Sequence, residues 1–169
     1  MQMPVRQSIV LLVFGVFFVS FQACKPDEPT LCEEETATPY ELVIPDGFPN
    51  MPIPNDNPMT VEGIDLGKKL FYDERLSGDN TQSCATCHFS TSSFSDSAQF
   101  STGITGAIGD RNAMAIVNVG YSFSLFWDGR AATLEEQALA PVTNPIEMNA
   151  TWPDVLTKIN ADPFYRTQF

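Results

Sequence analysis

The sequence of 169 residues contains a single histidine, and this scarcity limits the chemistry that the chain can perform. Its four cysteines include one C-x-x-C pair only, so a zinc site, which needs about four ligands, cannot be completed from a second pair. Basic residues are also few, because nine Lys and Arg stand against 21 Asp and Glu and give a formal net charge of -12. This balance argues against binding to nucleic acid, whose phosphates the chain would repel.

Strand signals and long apolar runs are missing as well. No convincing alternation of apolar and polar residues indicates a β-strand, no βαβ pattern surrounds the C-x-x-C pair, and no internal repeat is present. The longest apolar run, residues 9–19, is too short to span a bilayer. The sequence therefore predicts a mainly α fold with long loops, in one domain once the first residues are set aside.

The short apolar run suits the core of a signal peptide. It is followed by Ala23-Cys24, and a small residue before a cysteine at this point resembles the lipobox of bacterial lipoproteins, although Phe21 stands where leucine is usual. We expect residues 1–23 to be a signal peptide of lipoprotein type and Cys24 to carry a lipid that anchors the chain to a membrane. The predicted location is the periplasm or outer membrane of a bacterium. A plain cleaved signal and an uncleaved anchor are the alternatives.

Residues 24–58 are interpreted as an acidic, proline-rich tether and extended lead-in. They hold eight of the thirteen prolines and a glutamate triplet at 33–35, with no sustained apolar period. The later part, from residue 40 onward, also carries apolar side chains and is expected to lie extended against the domain. Cys32 falls in the tether, where a free thiol and a pairing outside this chain are both open.

The run Cys84-Ala85-Thr86-Cys87-His88 has the C-x-x-C-H form of a c-type haem attachment motif. In a helical segment, positions three and four apart share one face, so two thiols and one imidazole can grip a single macrocycle. A redox-active C-x-x-C pair with a chance histidine and half of a zinc site are the alternatives. We predict covalently bound haem c, with His88 as a ligand of the haem iron.

Four helix starts are marked in the sequence. Thr60 can cap a helix that runs to about Tyr72, and a capping box at 133–136 opens a helix that Pro141 is expected to end. A third helix begins at Thr151, and a fourth begins at residues 162–163 and is expected to be cut off by the end of the chain. Residues 89–110, rich in Ser, Thr and Gly, are predicted to form a long loop over the haem.

Several runs together resemble the N-terminal haem domain of bacterial dihaem cytochrome c peroxidases and their MauG-type relatives. They are Leu-Gly-Lys-Lys-Leu-Phe-Tyr-Asp at 66–73, Arg-Leu-Ser at 75–77, Ser-Cys-Ala-Thr-Cys-His at 83–88, Phe-Ser-Asp at 94–96, Arg-Asn at 111–112, Phe-Trp-Asp-Gly-Arg-Ala at 126–131, Leu-Glu-Glu-Gln at 134–137, Pro141, and Glu-Met at 147–148. The resemblance implies a cytochrome c-like haem domain over residues 59–169. It also implies that the chain is truncated before a second haem domain, because a second C-x-x-C-H is missing.

The resemblance assigns roles to residues around the haem. It implies that Cys84 and Cys87 form thioethers, and that Gln137, Pro141 and Glu147 line the distal pocket, with Glu147 as the acid-base group. Without the resemblance, Glu147 would be interpreted as a solvated loop carboxylate and Gln137 as an exposed helix residue.

Two further residues have roles by resemblance alone. Trp127 matches a tryptophan that lies between two haems, and Asn112 matches a residue near a calcium ion between domains. Trp127 could otherwise be an ordinary core aromatic. Many members also carry a second histidine that closes the iron at rest, and Ile104 stands about where it would be, so the resemblance points to an iron that is open without reductive activation.

The function that the resemblance implies is peroxidase activity, in which hydrogen peroxide is reduced to water with electrons from a small cytochrome c or copper protein. In the MauG branch the substrate is a protein to be oxidised. The alternative is a monohaem electron carrier with His88 and Met148 as iron ligands, since their separation of sixty residues is similar to that in small cytochromes c. A homodimer is a candidate assembly.

Overall fold

The computed structural model describes residues 37–169, and the predicted signal peptide, Cys24, Cys32 and most of the tether lie outside the described residues. Four α-helices follow one another along the chain: α1 (Val61–Phe71), α2 (Leu134–Thr143), α3 (Trp152–Ala161) and α4 (Pro163–Arg166). Four single turns of 3-10 helix lie between α1 and α2, at Glu74–Leu76, Cys84–Thr86, Ser90–Ser92 and Val119–Tyr121. Over the described range there is no strand, only four isolated β-bridges, and the predicted mainly α class with long loops is confirmed.

Side-chain caps start the helices at the predicted places. The Thr60 hydroxyl accepts a hydrogen bond from Gly63 N at 3.0 Å, and Thr133 and Thr151 cap α2 and α3 in the same way. Asp162 caps α4 by accepting from Phe164 N at 2.9 Å. None of the helices found from residue 37 onward is long and apolar enough to cross a membrane.

Two predicted helix ends are wrong. α2 continues through Pro141 to Thr143, because a proline in the last turn removes only its own N–H bond, while carbonyls at this end of the helix find other donors. Pro141 O accepts from Met148 N at 3.3 Å and Val142 O accepts from Ala150 N at 2.9 Å. α4 ends at Arg166 instead of running to the last residue, and its cap Thr167 donates back to carbonyls of the helix.

The apolar core lies where α1, α2, α3 and α4 meet. Its buried members are Val142, Met148, Ala150, Val155, Ile159 and Tyr165, and Leu66, Leu70, Leu76 and Trp152 pack against them. Val155 and Ile159 lie four residues apart, so one face of α3 is turned into this cluster. The core therefore joins the chain before the haem motif to the chain's last helices.

Polar contacts reinforce the same junction. Arg75 contacts Asp73 at 2.6 Å and Asp162 at 2.7 Å, and the hydroxyl of the fully buried Tyr165 donates to Asp73 Oδ2 at 2.6 Å. Lys158 Nζ donates to Ser77 O at 2.6 Å. We call the group formed by Asp73, Arg75, Asp162 and Tyr165 the Asp73 network.

The lead-in segment contacts the domain at several points. Residues 38–40 and 59–61 pair through bonds from Tyr40 N to Met59 O at 3.0 Å and from Val61 N to Thr38 O at 2.9 Å. Further along, the rings of Phe48 and Tyr121 meet edge to face with centroids 5.6 Å apart. The segment from residue 37 therefore lies against the domain, and it makes turns at 45–48 and 54–57.

Candidate haem-binding site

The C-x-x-C-H motif forms one tight turn instead of the expected helix. Cys84–Thr86 is a single turn of 3-10 helix, closed by bonds from Cys87 N and His88 N to Cys84 O at 3.2 and 3.0 Å. The turn is braced by Ser83 N, which donates to Thr86 Oγ1 at 3.1 Å. Because these bonds span three and four residues, the turn preserves the helical separations that place both thiols beside the imidazole.

A backbone carbonyl fixes the ring of His88. Nδ1 lies 2.8 Å from Phe94 O, and since a carbonyl can only accept, Nδ1 carries the proton and Nε2 keeps its lone pair for a metal. The carbonyl is presented by a turn in which Ser93 and Phe94 are both left-handed, with φ of 55°. The ring of Phe71, from the end of α1, lies 6.4 Å from the His88 ring and 6.2 Å from the Phe94 ring.

Both motif thiols are free and half-buried. Burial raises the pKa of Cys84, and it also raises the pKa of Cys87, where the nearby carboxylates of Asp96 and Glu147 act in the same direction and a hydrogen bond with Ser101 opposes them. The thiols therefore stay protonated at neutral pH. The charge of Glu147 acts on Cys87, and Ile104 N, from the segment that carries Ser101, donates to Glu147 O at 3.0 Å, so this segment connects Glu147 to the attachment turn.

The packing around this turn suits a flat apolar group. Among the described residues, the buried hydrophobic side chains belong to the helical core, apart from Leu125 and Ala131. Large apolar side chains of the segments that carry the site are instead 37 to 67% exposed: Phe89, Phe100, Ile108 and Ile146. The site offers two free thiols and an imidazole with an available Nε2. Its apolar side chains do not pack into a core of their own, so the site fits a haem. Cys84 and Cys87 would hold it covalently, and His88 would bind its iron.

Glu147 lies in the short loop between α2 and α3. Its side chain is half-buried, and Oε1 accepts a hydrogen bond from Asn144 Nδ2 at 2.7 Å. Gln137 and Pro141 are half-buried on α2, four residues apart and therefore on one face of the helix. The bond from Met148 N to Pro141 O joins that face to the Glu147 loop. The structure thus brings the three predicted distal residues to neighbouring elements.

The side chain of Met148 lies in different surroundings from that of Glu147. Its side chain is only 5% exposed and packs in the helical core with Val142, Val155 and Tyr165. A thioether enclosed in that cluster is not available to an iron held at the attachment turn. The carrier alternative with ligation by Met148 is therefore not favoured.

Trp127 lies on the surface, with 62% of its area exposed, so it is not a core aromatic. Its indole Nε1 donates to Asn112 O at 2.8 Å. The side chain of Asn112 donates in turn to Ala98 O at 2.6 Å and Asp96 O at 3.2 Å, and Asp96 accepts from Ser101 Oγ at 2.6 Å. Trp127 is therefore connected by hydrogen bonds to the loop beside Cys87.

Asn112, the residue predicted to lie near calcium, is not part of a cluster of metal-binding side chains among the described residues. In the part of the chain from 37 to 169, no group of three or more His, Cys, Asp or Glu could hold a metal ion. Both amide contacts of Asn112 go to backbone carbonyls of the 96–98 loop.

Sequence reasoning missed two residues that shape the site, Asn144 and Gly103. Asn144 precedes Pro145, and an Asn-Pro pair is a turn signal, but nothing in the sequence shows that the amide reaches Glu147. Gly103 approaches the backbone of residues 146 and 147, a contact between distant parts of the chain. No local pattern reports such a contact.

The fold and the site define a c-type haem domain that carries a carboxylate next to its attachment turn. Residues 61–169 match the family model described as di-haem cytochrome c peroxidase, and the chain belongs to this family. The predicted resemblance is confirmed.

Two characterised relatives and one solved structure illustrate the match. The cytochrome c peroxidase of Escherichia coli (strain K12) is 43% identical over 72% of this chain and 26% of its own length. The methylamine utilization protein MauG of Methylophilus methylotrophus is 37% identical over 71% of this chain and 36% of its own length. The crystal structure of a MauG-like protein associated with microbial copper homeostasis superposes with a TM-score of 0.73 at 39% identity, over 77% of this chain and 39% of that one. The chain thus spans about a quarter to a third of the lengths of these two relatives.

Proposed function

We propose that this chain is the peroxide-reacting haem domain of a cytochrome c peroxidase-type enzyme. The proposal rests on one observation, which is that two adjacent side chains lie in different surroundings. Glu147 is half-buried with its carboxylate next to the attachment turn, whereas Met148 is buried in the helical core. A carboxylate beside the haem would suit proton transfer, and a methionine enclosed in the core would not compete with peroxide for the iron.

When bound, the haem supplies an iron that can bind hydrogen peroxide and accept electrons. Cys84 and Cys87 would hold the macrocycle, and His88 would bind the iron through Nε2 while Phe94 O fixes the imidazole ring. Glu147 takes the proton from one peroxide oxygen and returns it to the other. Reduction to two waters consumes two electrons and two further protons, so Glu147 must exchange protons with solvent. Gln137 orients the peroxide through its amide.

The electrons come from outside the domain. We propose that they arrive past Trp127 from a second haem in a further domain, and reach that haem from a small cytochrome c or copper protein. The exposed indole and its connection to the 96–101 loop support this route. The names of relatives as cytochrome c peroxidases support a cytochrome as donor. Calcium near Asn112 belongs to the same proposal.

We propose a periplasmic or outer-membrane location, with the chain held by lipid on Cys24. The support comes from the sequence, in which an apolar run of signal-peptide length leads directly to Ala23-Cys24. Covalent attachment of haem c through two thioethers agrees with an exported protein.

The test is the substitution Glu147→Gln in the intact haem-loaded protein. Loss of acid-base help should slow the reaction with hydrogen peroxide by about 10²- to 10⁴-fold, while haem content and cyanide binding to the ferric iron stay unchanged. The matched control is Glu135→Gln, which alters an exposed carboxylate on α2 that also accepts a hydrogen bond from an asparagine, at 2.9 Å. Stopped-flow absorbance measures the rate. Equal rates in the two variants would refute the role of Glu147.

A further inference from the structure

The amide of Asn144 is used at both of its ends. Nδ2 donates to Glu147 Oε1 at 2.7 Å, and Oδ1 accepts from Ile146 N at 3.0 Å. The backbone carbonyl of the same residue accepts from Glu147 N at 3.0 Å and Asn149 N at 2.9 Å. Asn144 therefore closes the turn that carries Glu147 and also holds one oxygen of its carboxylate.

A second element holds the backbone of Glu147. Ile104 N donates to Glu147 O at 3.0 Å. The preceding residue, Gly103, has no room for a side chain, because a Cβ there would overlap Ile146 O and lie 2.7 Å from Glu147 O. The close approach of two backbones at this point requires glycine.

The element that carries Gly103 and Ile104 is a small hairpin, residues 101–109. It is closed by bonds from Gly103 N to Ala107 O and from Gly109 N to Ser101 O, both 2.9 Å, with a bridge between Thr102 and Ile108. Gln82 Nε2 ties it to the chain just before the attachment turn by donating to Thr102 O at 2.9 Å. The hairpin therefore relates the position of Glu147 to that of the haem thiols.

We propose that Asn144 is a positioning residue for Glu147, acting with the 101–109 hairpin to fix which carboxylate oxygen faces the peroxide. This inference rests on the proposed function. With Oε1 held by the amide and the backbone held by Ile104, Oε2 is the oxygen left to take and return a proton.

The test compares Asn144→Asp and Asn144→Ser in the intact haem-loaded protein. Both replacements keep a side-chain oxygen for Ile146 N, both lose the amide donor, and only aspartate adds a second negative charge. The infrared carboxylate band that disappears in Glu147→Gln should shift in frequency in both Asn144 variants, because Oε1 loses its amide donor. The band should stay in place in Asn57→Asp, which leaves the amide of Asn144 intact.

The rate with peroxide gives a second measurement. Asn144→Ser should slow the reaction at neutral pH roughly tenfold to 100-fold, as expected for a displaced catalytic group. In the Glu147→Gln background the same substitution should have an effect of less than about twofold, since a residue that acts through Glu147 has nothing left to position. Asn57→Asp is the matched control, because Asn57 Nδ2 donates to Glu135 Oε1, a carboxylate in the first turn of α2, at 2.9 Å.

The outcomes separate this inference from the proposed function. If Glu147→Gln slows the reaction but the carboxylate band stays at the same frequency in both Asn144 variants, or if the losses of the two substitutions multiply, the positioning role is refuted. If Glu147→Gln leaves the peroxide reaction unchanged, the proposed function fails instead. Should the Asn144 variants lose haem, hydrogen exchange of the 101–109 hairpin decides, since weakened protection in Asn57→Asp as well would refute a specific role.

Discussion

Replacing Tyr165 by phenylalanine should destabilise the fold by removing one hydrogen bond from the Asp73 network. The Tyr165 hydroxyl is fully buried and donates to Asp73 Oδ2 at 2.6 Å, and the ring itself would stay in the core. A hydrogen bond to a charged group contributes roughly 1.5 to 3 kcal/mol. Because Arg75 would still contact Asp73, we take about 2 kcal/mol, which corresponds to a fall in Tm of roughly 6 to 10 °C for a domain of this size.

The stabilisation that this hydrogen bond provides should depend on pH. Burial raises the pKa of Tyr165 to about 12, together with the bond to Asp73, so this contribution is present below the ordinary tyrosine pKa of 10.0 and is lost as pH rises toward 12. Burial also opposes the charged form of Asp73, but hydrogen bonds from Arg75 and Tyr165 outweigh it and lower its pKa to about 2. The contribution of Asp73 is therefore present above its ordinary pKa of 3.8 and is lost as pH falls toward 2.

Thermal unfolding of the haem-loaded protein from pH 2 to 12, followed by circular dichroism, measures the effect. The gap in stability between the unaltered protein and Tyr165→Phe should be widest between about pH 5 and 9 and should close at both extremes. Tyr72→Phe is the control, since the side chain of Tyr72 is 52% exposed. A gap that is independent of pH would show that the loss comes from packing and would refute the role of the hydrogen bond.

Two further predictions concern covalent attachment. The double substitution Cys84→Ala and Cys87→Ala should abolish haem attachment, so acid-acetone should extract all haem from that variant and none from the unaltered chain; free extraction from the unaltered chain would contradict the attachment motif. Cys24→Ser should block labelling by fatty acid and release the protein from the detergent phase in a partition experiment, and labelling that survives would place the anchor elsewhere.

Helix starts could be predicted from the sequence because a cap is a local device. Thr60, Thr133 and Thr151 each bond to an amide three residues away, and all three helices begin directly after them. The predicted end of α2 was wrong because the end of a helix depends on where its free carbonyls find hydrogen-bond donors. Pro141 O and Val142 O find theirs on Met148 and Ala150, beyond a turn that no local rule specifies.

The grouping of Cys84, Cys87 and His88 could be predicted for the same reason, since all three fall within five consecutive positions. The carbonyl that orients His88 could not, because Phe94 O reaches Nδ1 only through two consecutive left-handed residues that are neither glycine nor asparagine. Such a conformation is uncommon for these residue types. The contact of Gly103 with residues 146 and 147 joins positions more than forty apart, so it appears only in the fold.

The choice between a peroxidase and an electron carrier depends on the register of Glu147 and Met148, that is, on which of these two adjacent side chains lies in the core. The sequence alone leaves this register open. The fold sets that register at the backbone: Met148 N donates to Pro141 O, and Met148 O accepts from Gly78 N at 2.8 Å. Gly78 can come this close only without a side chain, since a Cβ would lie 2.5 Å from Asn149 O. A shift by one residue would place the Glu147 carboxylate among Val142, Val155 and Tyr165, where an unpaired charge costs several kcal/mol. The position of Met148 in the core thus does not favour the carrier arrangement, and the same backbone contacts keep the Glu147 carboxylate out of that core.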